Sequence, residues 1–110
     1  MYRRILVPTD GSETAVAAME AAIEIANVDS AEVHVLHVID SWHYDTSIES
    51  AVEPLREEAE PFVERLAGMA EAADVPVTTA IEVGRPAHHV LEYADDHDVD
   101  LIVLGSRGRG

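Results

Sequence analysis

The stretch Asp100-Leu-Ile-Val-Leu-Gly-Ser-Arg-Gly-Arg-Gly110 places a short apolar run directly before a glycine-rich segment. Leu101 to Leu104 is apolar without interruption, which predicts a strand buried on both faces. Such strands occur in parallel sheets that helices cover on both sides. Gly105 then ends the strand, and Gly108 and Gly110 follow it, so the backbone can take positive φ angles and approach a ligand closely. Ligands of open α/β sheets bind at this carboxyl edge, so the stretch predicts a binding loop whose amides, with Arg107 beside them, suit phosphate oxygens.

Three further segments have the composition of strands. The first runs from Arg4 to Pro8, where proline ends it. The second covers Glu32 to Val38 and continues to Ile39 and Asp40, and the third covers Pro76 to Val83. Together with the last run, these segments predict four strands.

Helical spacing of apolar residues fills the intervals between these strands. The first helix follows the Thr9-Asp10-Gly11 turn, and we expect Ser12 to be its N-cap. The second interval, Ile48 to Ala73, contains Pro54 and Pro61. Because proline interrupts helical hydrogen bonds, we expect the second helix to start near Pro54 and to kink at Pro61, or else to break in two.

The third helix is predicted to begin at Pro86, since proline is well tolerated at the first helical position. Its expected buried stripe contains Ala87, Val90, Leu91 and Ala94. The resulting order is βαβαβαβ, which predicts a single doubly wound, Rossmann-like α/β domain over residues 1–110, with a parallel sheet and helices on both faces. If the first and fourth strands are neighbours, Asp10 and the glycine loop share one crevice.

The charge of the chain is strongly negative. Its formal net charge is −15, and all seven basic residues are arginine. Such a chain repels nucleic acid and anionic membranes. The carboxylates are spread over every predicted helix, so we interpret them as a halophilic adaptation rather than as a surface for a basic partner, because the Debye length is only about 3 Å at 1 M salt. The absence of cysteine and of an apolar run long enough to span a membrane predicts a cytoplasmic protein.

Four stretches in this order resemble the universal stress protein family, over all 110 residues. Ile5-Leu-Val-Pro-Thr-Asp-Gly-Ser12 is similar to the family's opening strand and turn, and Val35-Leu-His-Val38 to its second strand. Gly84-Arg-Pro-Ala-His-His-Val-Leu-Glu-Tyr-Ala94 resembles the turn and third helix. Asp100-Leu-Ile-Val-Leu-Gly-Ser-Arg-Gly108 resembles the fourth strand and the first half of the family's nucleotide motif.

The resemblance implies an ATP pocket. Asp10 would lie near the ribose, the backbone of Val38 would meet the adenine edge, and the glycines would let the loop approach ribose and phosphates. Mg²⁺ would arrive with the phosphates. The nucleotide-binding residues expected on this basis, with the loop residues between the glycines included, are Pro8, Thr9, Asp10, Val38, Gly105, Ser106, Arg107 and Gly108.

The resemblance departs from the family pattern at Gly110, where the chain ends before the motif's second half. In the family the motif continues into a fourth helix and a fifth strand, about 25 residues in all. We therefore expect the domain to lack these last two elements. Phosphate binding and the family's usual homodimerisation through the last strand depend on them.

Other kinds of site find less support in the sequence. His34 and His37 are three apart on a strand and face opposite ways, and His88 and His89 are adjacent on a helix, so we expect surface or core-edge histidines rather than a metal site. Neither Ser12 nor Ser106 has a motif-supported base, so no catalytic residue is predicted. A phospho-receiver domain would need a late lysine, and the chain has no lysine. An ATP pyrophosphatase would need a Ser-Gly-Gly loop after the first strand, where this chain has Pro8-Thr-Asp-Gly11.

Two functions remain open. The first is an ATP-binding stress-response module that acts as a nucleotide-dependent switch or, at most, a slow ATPase. The second is a protein of the same fold that binds no nucleotide and acts through dimerisation or partner contacts. Gly105 and Gly108 favour the first function, because a phosphate-binding loop requires bare backbone there.

Overall fold

The computed structural model describes residues 1–41 and 49–105 of the chain. Strands and helices alternate along it, as the apolar patterns predict. The elements are β1 (Arg4–Thr9), α1 (Thr14–Asp29), β2 (Glu32–Asp40), α2 (Glu49–Ala72), β3 (Val77–Gly84), α3 (Pro86–Asp96) and β4 (Leu101–Ile102). No helix in these two ranges is long and apolar enough to cross a membrane.

The four strands form one parallel sheet in the order β3-β2-β1-β4. The predicted doubly wound α/β fold is therefore confirmed, and β1 and β4 are neighbours. Ile5 of β1 lies opposite Val33 of β2 on one side and opposite Leu101 of β4 on the other. The chain first moves from β1 outward to β3 and then crosses back to β4, so the crossover direction reverses next to β1.

Two apolar clusters cover the two faces of the sheet. Ile5 and Val7 of β1 pack with α1 and α2 on one face. Leu6, between them in sequence, packs with Leu36 and with Tyr93 of α3 on the other face. This alternation follows from the two-residue period of a strand. Full burial of each such aliphatic side chain contributes about 1.5–3 kcal/mol, so the central strands hold all three helices.

The start of α1 differs from the prediction. Its N-cap position is Glu13, and Ser12 lies in the preceding turn. The Ser12 N–H donates to Oδ1 of Asp10 over 2.9 Å, and its hydroxyl group hydrogen-bonds that of Thr14 over 2.8 Å. The prediction of Ser12 as N-cap was wrong because the Asp10 carboxylate holds a turn there. The helix ends at Ser30, whose φ of 57° is left-handed.

The second helix runs from Glu49 to Ala72 through both prolines. The predicted late start near Pro54, and the alternative of two separate helices, were therefore wrong. Both prolines lie on the exposed face, while Val63 and Leu66 are buried against the sheet. Packing of this apolar face outweighs the hydrogen bonds that the prolines remove. The predicted kink at Pro61 stays a prediction.

The last strand is shorter than predicted. β4 pairs with β1 only at Leu101 and Ile102, although the Val103 N–H still donates to the Leu6 carbonyl over 2.9 Å. Leu104 is 69% exposed. The prediction of a strand from Leu101 to Leu104 buried on both faces was wrong, because within the described residues β4 is the edge of the sheet.

Asp100 anchors this edge strand at its amino end. Its Oδ2 atom accepts the backbone N–H groups of Arg3 and Arg4 over 2.7 and 2.9 Å. These hydrogen bonds, that from Arg4 most strongly, lower the pKa of the Asp100 carboxyl group below its ordinary value. The Asp100 N–H in turn donates to the Arg4 carbonyl over 2.9 Å. Asp100 thus joins the beginning of β4 to the beginning of β1.

Candidate functional site

A cavity of about 530 Å³ opens at the carboxyl edge of the sheet, between α1 and α3. We call it the β1–β4 cavity, since Pro8 and Thr9 of β1 and Ile102 of β4 border it. It lies at the point where the crossover direction reverses, which is where open α/β sheets bind ligands.

Five of the eight residues predicted for the nucleotide site border this cavity. The remaining three, Ser106, Arg107 and Gly108, lie outside the described residues. The five that the fold brings together are Pro8, Thr9, Asp10, Val38 and Gly105. Three separate elements supply them, so their meeting depends on the order of the strands and not on local sequence.

The turn after β1 fixes the position of Asp10. The Gly11 N–H donates to Oγ1 of Thr9 over 3.0 Å, and the Ser12 N–H donates to the Asp10 carboxylate. Gly11 has φ of 89°, a backbone conformation that glycine adopts without strain. The turn therefore holds a carboxylate at the mouth of a largely apolar cavity, where it can accept hydrogen bonds from ligand hydroxyl groups.

Gly105 closes the cavity from the β4 side, for a reason that the sequence did not reveal. A Cβ atom at this position would overlap the carbonyl group of Thr14 and would lie 3.0 Å from the Thr14 Cβ atom. Its φ is not in the left-handed region, where among the described glycines only Gly11 lies. Gly105 therefore does not use the positive φ that glycine allows. Glycine is required because the chain packs here against the first turn of α1.

The first half of α3 forms an apolar wall that the sequence analysis did not assign to the site. Ala87, Val90 and Leu91 border the β1–β4 cavity, together with Pro86. Ala87 and Leu91 were predicted to be buried, but Ala87 is exposed and Leu91 is 64% exposed. The signal available was Pro86, which starts α3 directly after β3 and so brings its first turns over the crevice.

A second cavity of about 420 Å³ adjoins the first, on the α2 side of the sheet. We call it the His37 cavity. Asp10, Val38 and Pro86 border both cavities. Nδ1 of His37 is buried and has no hydrogen-bond partner among the described residues. Burial lowers the pKa of His37 below its ordinary value, and the Asp10 carboxylate partly opposes that change.

His34, His88 and His89 form ordinary side-chain pairs. Nδ1 of His34 hydrogen-bonds the Tyr93 hydroxyl group over 2.7 Å on the α3 face, so His34 and His37 do face opposite ways, as predicted. His88 lies 3.1 Å from Glu92, and His89 lies 2.5 Å from Glu82. Within residues 1–41 and 49–105, no three histidine or acidic side chains are arranged to hold a metal ion.

The fold defines a doubly wound α/β protein with a cavity at the carboxyl edge of its sheet. The model of the universal stress protein family matches residues 1–110, and the chain belongs to this family. It is 34% identical to universal stress protein MJ0531 of Methanocaldococcus jannaschii, with 99% of the chain and 67% of that protein covered. It is 31% identical to YxiE of Bacillus subtilis, with 98% and 81% covered.

Solved structures agree with this assignment. Protein MJ0577 of Methanocaldococcus jannaschii superimposes with a TM-score of 0.86 at 36% identity, with 99% of this chain and 78% of that chain covered. A universal stress protein crystallised in complex with cAMP superimposes with a TM-score of 0.76, with 93% and 75% covered. Its identity to this chain is 22%, so that likeness shows the fold alone.

Proposed function

We propose that the chain binds an adenine nucleotide in the β1–β4 cavity and acts as an ATP-binding stress-response module, either a nucleotide-dependent switch or a slow ATPase. The observation that supports this proposal is the meeting of Asp10, Val38 and Gly105, from three separate elements, around one cavity. One universal stress protein has been crystallised with cAMP, which makes cAMP a practical probe beside ATP.

The backbone of Val38 is suited to the adenine edge. Glu32 donates its N–H to the Arg3 carbonyl, so the backbone groups of Glu32 and of every second residue after it point toward β1. Val38 belongs to this set, but β1 ends at Thr9, which lies opposite His37. The Val38 carbonyl therefore extends beyond the last paired residue of β1, where an adenine amino group can reach it.

The other residues around the cavity suit different parts of the ligand, some apolar and some polar. Val90 and Ile102 offer apolar surface to the flat base. Asp10 offers a carboxylate to the ribose hydroxyl groups, and such a charged acceptor makes a strong hydrogen bond. Mg²⁺, in this proposal, binds with the phosphates.

The net charge of −15 opposes an anionic ligand. In dilute buffer the long-range repulsion acts on every phosphate, whereas at molar salt the Debye length shrinks to about 3 Å. Short-range contacts then decide the affinity. Binding is therefore expected to be strongest in concentrated salt, the reverse of the usual behaviour of nucleotide sites.

A thermal shift at molar KCl tests the proposal. Mg-ATP or cAMP at a hundred times its dissociation constant adds about 2.7 kcal/mol of stability, which corresponds to about ten degrees in Tm for a domain of this size. Asp10→Asn should reduce the shift. Asp96→Asn, which makes the same charge change at the exposed end of α3, should leave it intact. If no adenine nucleotide raises Tm at molar salt, the proposed function fails.

A second function keeps support from the surface. Leu91 and Leu104 are 64% and 69% exposed and lie beside the same cavity. Apolar side chains so exposed favour burial by another surface, as in a homodimer or a partner complex. Light scattering at molar salt, with and without Leu104→Ser, tests the homodimer: a monomer in both cases contradicts it.

A further inference from the structure

We propose that His37 is a positioning residue of the nucleotide site: protonation of its imidazole draws the Asp10 carboxylate away from the β1–β4 cavity and weakens nucleotide binding. The proposal deepens the function proposed above and rests on it for the ligand. The proximity of His37 to the turn that carries Asp10 is independent of any ligand.

His37 lies close to the turn between β1 and α1. A Cβ atom added to Gly11 would lie 3.9 Å from Cε1 of His37, so little more than one side-chain carbon would fit between the ring and the turn. Asp10, one residue before Gly11, borders both the β1–β4 cavity and the His37 cavity. Asp10 therefore lies between the β1–β4 cavity and the cavity that His37 borders.

The surroundings of the ring keep it neutral. Leu55, Ala59 and Phe62 of α2 border the His37 cavity, and Nδ1 has no hydrogen-bond partner among the described residues. Burial in such surroundings disfavours the charged imidazolium, which accounts for the lowered pKa of His37. The ring is thus uncharged at neutral pH.

The charged groups around the His37 cavity are all carboxylates within the described residues. Asp10 belongs to the β1–α1 turn, Asp40 to β2 and Glu58 to α2, while the start of α3 contributes Pro86. None of these groups repels a proton on His37. When the pH falls far enough to overcome burial, the imidazolium forms near Asp10 and attracts its carboxylate.

The Asp10 carboxylate then has two competing partners, the ribose and the His37 imidazolium. With neutral His37, its Oδ1 atom holds the turn through the Ser12 N–H, and the carboxylate remains at the mouth of the β1–β4 cavity. With protonated His37, the carboxylate turns toward the ring, and the ribose loses its acceptor. If the protonated form does not bind, the apparent affinity falls about tenfold for each pH unit below the pKa of His37.

Titration of cAMP binding against pH tests this proposal. The probe is cAMP at molar KCl between about pH 8 and pH 5, where histidine titrates and the cAMP phosphodiester keeps its single charge. The wild-type dissociation constant should rise as the pH falls, by up to about tenfold per unit. His37→Gln should abolish this rise. Asp10→Asn should bind weakly at every pH with no further rise, because protonated His37 then has no carboxylate to attract.

His88→Gln is the matched control. The His88 side chain is 72% exposed, pairs with Glu92 on the surface of α3 and borders neither cavity. This variant should keep the wild-type pH dependence. A rise that persists in His37→Gln, or cAMP binding that becomes tighter as the pH falls, overturns the proposal.

NMR separates failure of the coupling from failure of the function. In the wild-type protein without ligand, the Gly11 amide shift should titrate together with the His37 ring, and Asp10→Asn should reduce this response and lower the pKa of His37 further. If neither cAMP nor ATP binds at any pH, the proposed function fails while the Gly11 titration still reports on the coupling. A Gly11 amide that does not follow His37 overturns the proposal, even where His37→Gln does not fold.

Discussion

Replacing Gly105 by alanine tests whether the cavity is closed by backbone contact. The added Cβ atom would lie 2.5 Å from the Thr14 carbonyl carbon and 3.0 Å from the Thr14 Cβ atom. Carbon atoms in ordinary contact are about 3.5–4.0 Å apart. Either α1 or the chain after β4 must therefore retreat by about an ångström, because the nearest atoms belong to the backbone and not to a flexible side chain.

Overpacking of this kind costs about 1–3 kcal/mol. Unfolding entropy is about 2.1 cal/mol/K per residue, so a domain of 110 residues loses about 4–13 degrees in Tm. Thr14 itself borders the β1–β4 cavity. The retreat should therefore also weaken nucleotide binding, which calorimetric titration with cAMP would measure in the same preparation.

Gly68→Ala is the matched control for this prediction. Gly68 lies within α2, and nothing stands within 4 Å of the Cβ atom that alanine would add. Alanine in the interior of a helix is more stable than glycine by about 0.5–1 kcal/mol. The same substitution should thus lower Tm at one site and raise it slightly at the other. If Gly105→Ala melts within a degree of the wild type, the contact with Thr14 does not require glycine.

Three further predictions concern charge and buried hydrogen bonds. Tm should rise steeply between dilute buffer and molar KCl, because salt screens the net charge of −15; a flat profile would favour a basic partner instead. The folded-state pKa of Asp100 is lowered from 3.8, so its contribution to stability is present above that pH and is lost as the pH falls through the folded-state value. Asp100→Asn should reduce the loss of unfolding free energy at acid pH, as measured by urea unfolding at several pH values. An equal loss in the variant and in the wild type would contradict a stabilising role for Asp100. Tyr93→Phe should cost about 1–3 kcal/mol in urea unfolding, since it leaves Nδ1 of the buried His34 without its partner; a loss near zero would mean that this hydrogen bond contributes nothing.

The sequence predicted elements well wherever one physical term dominated. The apolar-rich segments of β1 and β2 predicted two strands correctly, because strands buried on both faces are mostly apolar, although β1 continues past the predicted end at Pro8 to Thr9. Pro86 gave a correct helix start, because proline fixes φ and needs no hydrogen bond at that position. The sequence did not predict that β1 and β4 are neighbours, since the order of the strands depends on the packing of the whole chain.

Where two terms competed, the pattern alone failed. At Pro54 and Pro61 the free energy gained by burying the opposite face of α2 exceeds the local cost of proline in a helix. Rules based on local sequence do not include packing against distant residues. Gly105 was correctly singled out, but its reason, a close contact with Thr14, joins residues 91 positions apart. The face of His37 was predictable from strand alternation, whereas its place close to the Asp10 turn was not.

The Asp100 anchor and the β1–β4 cavity lie at opposite ends of the same pair of strands. Asp100 holds the amino ends of β1 and β4 together, whereas Pro8, Thr9 and Ile102 border the cavity toward the carboxyl ends. The contacts at the amino edge are therefore separated in space from the proposed nucleotide site. Substitutions along the amino edge can change the stability of the sheet, for example in more or less concentrated salt, while the lining of the β1–β4 cavity stays unchanged.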